Sequence, residues 1–212
     1  MPDIDLLLKR LIDHKVEFVI VGGFAAVTHG AALMTQDVDV ACRFSPVNLL
    51  RLQAAQSDLH PFHRMTPSHL PLKLTRAKCR GLKNLYLATD WGQLDCLGEV
   101  LGLGGYDEVK KQSVVLSLEI GQCRVLSLDA LIRAKKAMGR PRDHEAVRQL
   151  EAIRERTRRA PGTRTETPTA TSAFAGAWLG VRRRISRAAA RRVGVGGRSP
   201  LSGRACRETA VR

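Results

Sequence analysis

The sequence predicts an α/β fold from three observations. Apolar residues recur at helical spacing near the start of the chain and again after residue 127. Between these regions lie short β-branched or alternating runs punctuated by turn residues. One of those runs passes directly into two adjacent glycines and a short helical segment. Taken in order, Leu6, Leu7, Leu8, Leu11 and Ile12 give a helical stripe over residues 3–14. "EFVIV" (17–21) reads as an apolar strand closed by Gly22 and Gly23, and "FAAVTHG" (24–30) as a short helix stopped by Gly30. "DVDVACR" (37–43) alternates strictly, as a strand does. Ser45 as cap and Pro46 at the first helical position open a helix over residues 45–59.

Residues 60–83 contain Pro61, Pro67 and Pro71 and leave room for at most one short strand among loops. "NLYLATDWGQLDCLGEV" (84–100) reads as a hairpin around Asp90–Gly92 with Asp95 on its second arm, and "VVLSLEIGQCRVLS" (114–127) as another turning at Gly121. A helix capped by Ser127 stops at "GRP" (139–141), and a second follows to about Arg159. The division expected is a folded domain over residues 1–159 and a tail over 160–212. That tail opens with the Pro/Thr-rich "APGTRTETPTATSA" and continues Arg-rich and glycine-punctuated, a composition that predicts disorder.

The net charge of +15 is unevenly distributed. Residues 1–156 carry 22 Lys/Arg against 18 Asp/Glu, whereas residues 157–212 carry 13 Arg against only Glu166 and Glu208. The domain is therefore only mildly basic. Cysteines 42, 79, 96, 123 and 206 show no metal-ligand or redox spacing, and their odd number argues against a disulfide framework. A reducing, cytoplasmic compartment is expected. The amphipathic N-terminus does not read as a secretory signal, and no apolar run approaches the ~20 residues of a membrane span.

Asp37 and Asp39 are the residues that call for explanation. Two residues apart on a strand, their side chains point the same way while Val38 and Val40 face the other. Paired carboxylates repel unless a cation lies between them, and hard oxygens of this kind suit Mg²⁺ shared with phosphate. The glycines just upstream leave backbone N–H groups open to an anion. A Gly-Gly pair alone is usually a turn, and a lone D-x-D is often a solvated strand edge. Their order and spacing together point to a nucleoside triphosphate–Mg²⁺ site. A dinucleotide-binding unit fits less well, because it needs Gly-x-Gly-x-x-Gly and a single acid about 20 residues on.

The stretch "VGGFAAVTHG…TQDVDV" resembles the signature of the nucleotidyltransferase superfamily with the DNA polymerase β-like fold. More narrowly it is similar to the bacterial AbiEii-type group, many members of which are toxins of type IV toxin–antitoxin systems. The resemblance extends through "GQLDCLGEV" to the closing helices "VLSLDALIRAKKAMGRPRDHEAVRQLEAI", roughly residues 17–156. It implies a nucleotidyltransferase-type mixed sheet flanked by helices and a C-terminal helical pair. It also implies catalytic and metal-binding roles for Asp37, Asp39 and Asp95, with two Mg²⁺ ions. Gly22, Gly23, Thr35, Lys135 and Arg140 would bind the nucleotide, and Asp143 falls in its usual place. An NTP would be the substrate and RNA, a protein or a small molecule the acceptor, with a cognate antitoxin as a further partner. The sequence departs from the group's R-x-T-x-D-x-D pattern at Leu33, which stands in the arginine position, and Cys96 and Gly98 are smaller than the group's residues.

Asp90 competes with Asp95 as third acid, but "TDWG" reads as a turn and only Asp95 lies in an alternating strand. Lys135 and Arg140 read equally well as a solvated basic face, Asp143 as a first-turn charge, and His29 as a packing residue. Two alternatives to an enzyme remain: a nucleotide-binding protein without turnover, and a basic nucleic-acid-binding protein acting through its tail.

Overall fold

A computed structural model describes residues 3–33, 35 and 37–159. The Arg-rich tail, with its expected disorder, lies outside the described residues. Helix α1 (Ile4–Asp13) is capped by Asp3, whose side chain accepts from the Leu6 N–H, and buries Ile4, Leu7, Leu8 and Leu11. Strand β1 (Phe18–Ile20) is wholly buried and leads to α2 (Gly22–Thr28), which begins at the glycines themselves. Strand β2 (Asp37–Cys42) follows, then α3 (Pro46–Ala55) with Ser45 accepting from the Asn48 N–H as cap. The ambiguous proline-bearing stretch holds one short strand in the main sheet, β3 (Phe62–His63).

The first hairpin is β4 (Asn84–Thr89) and β5 (Gly92–Leu97). A separate two-stranded sheet, β6 (Glu99–Val100) with β7 (Gly104–Gly105), and helix α4 (Tyr106–Lys111) come next. The second hairpin is β8 (Ser113–Leu118) and β9 (Gly121–Leu126). Helix α5 (Leu128–Met138) is capped by Ser127 and stops at Gly139, and α6 (Pro141–Arg159) packs against it. Gly139 has φ +62°, the left-handed conformation that glycine adopts at low cost at a helix C-terminus.

The main sheet has seven strands in the order β3-β4-β5-β2-β1-β9-β8. It is mixed: β2 runs antiparallel to β1 but parallel to β5, and β1 is parallel to β9. Side chains alternate, so the register sorts the sheet into two faces. Val38, Val40 and Cys42 share a face with Leu94, Cys96, Leu85 and Leu87, and all are buried. The opposite face carries Asp37 and Asp39 with Gln93, Asp95 and Tyr86.

Polar groups tie the ends of this core. Asn48, 1% exposed, accepts from the Glu17 N–H and donates to the carbonyls of Glu17 and Arg43, so it satisfies backbone groups just beyond the β1–β2 pair. Arg43 in turn bonds Glu17 and Asp107 and lies over the Tyr106 ring at 4.8 Å. The small Gly98 is a packing requirement: a β-carbon there would lie 2.6 Å from the Lys83 carbonyl oxygen. Cys42, Cys79, Cys96 and Cys123 are free and buried, and no described helix is long and apolar enough to cross a membrane.

Candidate active site

Because β2 and β5 are in parallel register, Asp39 stands directly beside Asp95, and Asp37 lies two residues earlier on the same face. All three sequence-nominated acids are therefore brought together. Asp90 is not among them. It sits on the β4–β5 turn, where its carboxylate meets His60 Nδ1 at 2.7 Å and both side chains are exposed.

The glycines are explained by Asp39. Gly22 has φ +65°, and a β-carbon added to it would lie 2.0 Å from Asp39 Oδ2. Only glycine allows the start of α2 to rest on this carboxylate. The Gly23 N–H donates to the same oxygen at 3.4 Å, and the Val21 N–H donates to the Asp39 carbonyl at 2.9 Å. A β-carbon on Gly23 would lie 3.0 Å from Thr35 Oγ1, which itself donates to the Asp37 carbonyl at 3.0 Å. Gly22, Gly23 and Thr35 thus frame the two aspartates.

Burial pushes the Asp39 carboxyl above its ordinary value, and the neighbouring charges of Asp95 and Asp37 push it further. The Gly23 N–H and the charge of Lys135 oppose that rise. Asp95, 8% exposed, is also raised, by burial and by Asp37, although Arg64 pulls against it. Each shift has the cause expected of crowded carboxylates in a partly dry site.

Lys135 is not on a solvated face. It is 9% exposed and donates to Asp143 Oδ1 at 3.1 Å. Asp143, 1% exposed, also accepts from Arg140 Nε at 2.7 Å. Burial raises the Asp143 carboxyl, but the hydrogen bonds from Arg140 and Lys135 outweigh it and hold the group below its ordinary value. Asp143 therefore orients both basic residues that the sequence nominated. A cleft of ≈ 470 Å³ opens beside Lys135, lined also by Lys136, Gly139, His144, Val147 and Arg148. His29 packs as expected, its Nε2 2.8 Å from the Leu126 carbonyl, with its pKa lowered by burial. Leu33 is partly buried against the hydrophobic core.

One site residue has no counterpart in the sequence reading. Arg64 follows β3, and its N–H donates to the Tyr86 carbonyl at 3.0 Å, continuing the β3–β4 pairing. Tyr86 is paired with Asp95, and Asp95 with Asp39. Arg64, Tyr86, Asp95 and Asp39 consequently form a row across four strands. Arg64 Nη2 donates to both oxygens of Asp95, one at 2.5 Å, and the guanidinium lies 5.7 Å from the Tyr86 ring centroid.

The donor set suits a divalent cation in kind, being hard carboxylate oxygens crowded on one face. Among the described residues, no three acidic, histidine or cysteine side chains are arranged to hold a metal ion as they stand.

No protein-family model matches the sequence, and no curated protein matches it. Among solved structures, the chain is similar to the lincosamide antibiotic adenylyltransferase LnuA, with 13% identity, a TM-score of 0.48, and coverage of 72% of this chain and 98% of that one. It is similar to the Thermotoga maritima candidate nucleotidyltransferase TM1012, with 16% identity, a TM-score of 0.45, and coverage of 72% and 91%. It is also similar to the antibiotic-resistance factor ANT(2'')-Ia, with 13% identity, a TM-score of 0.45, and coverage of 90% and 95%.

Proposed function

We propose that the protein is a Mg²⁺-dependent nucleotidyltransferase that moves a nucleoside monophosphate from an NTP to an acceptor hydroxyl. The observation that carries this reading is the gathering of Asp37, Asp39 and Asp95 on one sheet face, with a glycine-only helix start packed on Asp39. Asp37 and Asp39 would hold one Mg²⁺ and Asp95 would complete a second site. Bound there, the ions would neutralise phosphate oxygens and stabilise the attacking and leaving oxygens of an in-line displacement.

The chain's own residues do the rest. Gly22, Gly23 and Thr35 would seat the triphosphate, the absence of a side chain at Gly22 letting the start of α2 lie against Asp39. Lys135, fixed by Asp143, places positive charge near Asp39, and Arg140 is fixed by the same carboxylate. Asp95, with its carboxyl raised, is suited to take the proton of the acceptor hydroxyl. The acceptor oxygen then bonds to the α-phosphorus as the bond to the bridging oxygen breaks, and pyrophosphate leaves. The acceptor is RNA, a protein or a small molecule, and the location is cytoplasmic. A role as a type IV toxin held in check by an antitoxin rests on the motif resemblance alone.

A second reading, nucleotide binding without turnover, is favoured by one observation. Leu33 stands where the similar group carries arginine and packs against the core, so this side chain supplies no positive charge to a bound nucleotide. Incubation with each α-labelled NTP, Mg²⁺ and total cellular RNA or lysate separates the two. A labelled acceptor that disappears in Asp37→Asn and Asp39→Asn supports the enzyme, whereas NTP binding with no labelled species supports the binder. Asp95→Asn should be as damaging as either and Asp90→Asn mild. Near-normal transfer by Asp37→Asn would exclude the proposed metal site.

A further inference from the structure

We propose that Arg64 is the built-in counter-cation of the carboxylate row, and that its guanidinium and a divalent cation are alternative occupants of Asp95. The inference rests on the metal-dependent reading above and concerns how its site is loaded. Three carboxylates on one partly buried face require positive charge nearby. Lys135 serves Asp39 at a distance, but its ammonium is bound to Asp143. Among the described residues, Arg64 is the cation that reaches Asp95, and it takes both oxygens. A metal ligated by Asp95 therefore competes with Arg64 for the same two oxygens.

The pairing is built in a way that permits exchange. The strongest guanidinium–carboxylate pairs use two nitrogens in a fork, each facing its own oxygen. Here the single nitrogen Nη2 serves both oxygens, and Nε is buried without a hydrogen-bond partner among the described residues. That donor is desolvated without compensation, a cost relieved when the side chain leaves. A path out exists. Arg64 follows β3, the edge strand of the sheet, and its side chain retains 26% exposure. A guanidinium is also weakly hydrated and stacks readily on aromatic faces, so Tyr86 offers it a resting surface beside the row.

The test uses the full chain in metal-free buffer, with Mn²⁺ as the probe and free Mn²⁺ followed by electron paramagnetic resonance. Arg64→Gln should bind Mn²⁺ more tightly than wild type by roughly ten- to hundredfold, the equivalent of one charge-assisted hydrogen bond no longer competed against. Adding Asp95→Asn to Arg64→Gln should remove that gain. Thermal unfolding provides a second readout, in which Mn²⁺ raises the melting temperature of Arg64→Gln more than that of wild type. Unchanged or weaker Mn²⁺ binding by Arg64→Gln overturns the exchange. The metal-site reading survives that outcome if wild type binds Mn²⁺ and Asp39→Asn does not. No Mn²⁺ binding by wild type or Arg64→Gln overturns both. If Arg64→Gln proves unfolded by circular dichroism, Arg64→Lys, whose shorter side chain and strongly hydrated ammonium hold Asp95 less closely, should still bind Mn²⁺ more tightly than wild type. Affinity equal to wild type in that variant likewise overturns the proposal.

Discussion

Gly22→Ala tests how the helix start and Asp39 depend on each other. An added β-carbon would lie 2.0 Å from Asp39 Oδ2, 2.5 Å from its Cγ and 2.6 Å from its Cβ, so the whole side chain must move. The backbone at φ +65° adds a penalty of about 1–2 kcal/mol for any residue with a β-carbon. Moving the carboxylate off the Gly23 N–H forfeits a long charge-assisted bond, about 1.5 kcal/mol at the low end of its range. Together these give about 3 kcal/mol, or a melting temperature lower by about 6–12 °C for a domain of this size. Gly23→Ala is the matched control. Its β-carbon would lie 3.0 Å from Thr35 Oγ1 and 3.2 Å from Thr35 Cβ, contacts that a shift of a few tenths of an ångström relieves. Helix propensity also gains up to about 1 kcal/mol, so its melting temperature should stay within about 3 °C of wild type. Thermal unfolding by circular dichroism in EDTA removes any contribution from bound metal. If Gly22→Ala melts with wild type, the packing of α2 on Asp39 does not constrain the fold, and the glycine answers only to a ligand.

Three further outcomes are expected. In metal-free buffer, Asp39→Asn should melt above wild type at pH 7 and lose that advantage as the pH falls toward about 4. The reason is that the folded state raises this carboxyl above 3.8. The native chain therefore holds more protons than the unfolded one, and the stability this provides is complete below 3.8 and lost as pH rises through the raised value. Asp143→Ala leaves Lys135 buried and unpaired and should cost about 3–5 kcal/mol in thermal unfolding, so a shift below ~3 °C would contradict the paired arrangement. Leu33→Arg should lower the melting temperature with no gain in NTP affinity measured by calorimetry, because Leu33 packs against the core. Tighter NTP binding at an unchanged melting temperature would place residue 33 at the phosphates instead.

The sequence was most legible where a period was long enough to be read. The alternation of 37–43 located β2 and put both aspartates on one face, and the Ser127 and Ser45 caps marked the starts of α5 and α3. The onset of α2 was read late, at Phe24, because glycines have low helix propensity and tertiary packing on Asp39 sets the start. Helix α4 escaped because it buries only Tyr106 and Val109 in six residues, too few to show periodicity. Lys135 left a usable signal: it falls four residues after Leu131 on the buried face of α5, where a lysine needs a partner. Arg64 left almost none. Its place depends on the registers of β3 with β4, β4 with β5 and β5 with β2, and these pairings are not local in sequence.

The interior position of β1 has a consequence for the order of assembly. One edge of β1 is closed by β2 at residues 40–42, but the other is closed by β9, where Ile20 pairs with Val125. A chain emerging from the ribosome therefore carries β1 with an open edge until the second hairpin has been made. An open apolar edge is a template for pairing with the wrong strand or another chain. Contacts so distant in sequence also slow folding, since the loop entropy is lost before the pairing returns anything. Substitutions in β9 that weaken this closure, Val125→Ala among them, should lower soluble yield more than their effect on the melting temperature of the folded fraction would suggest.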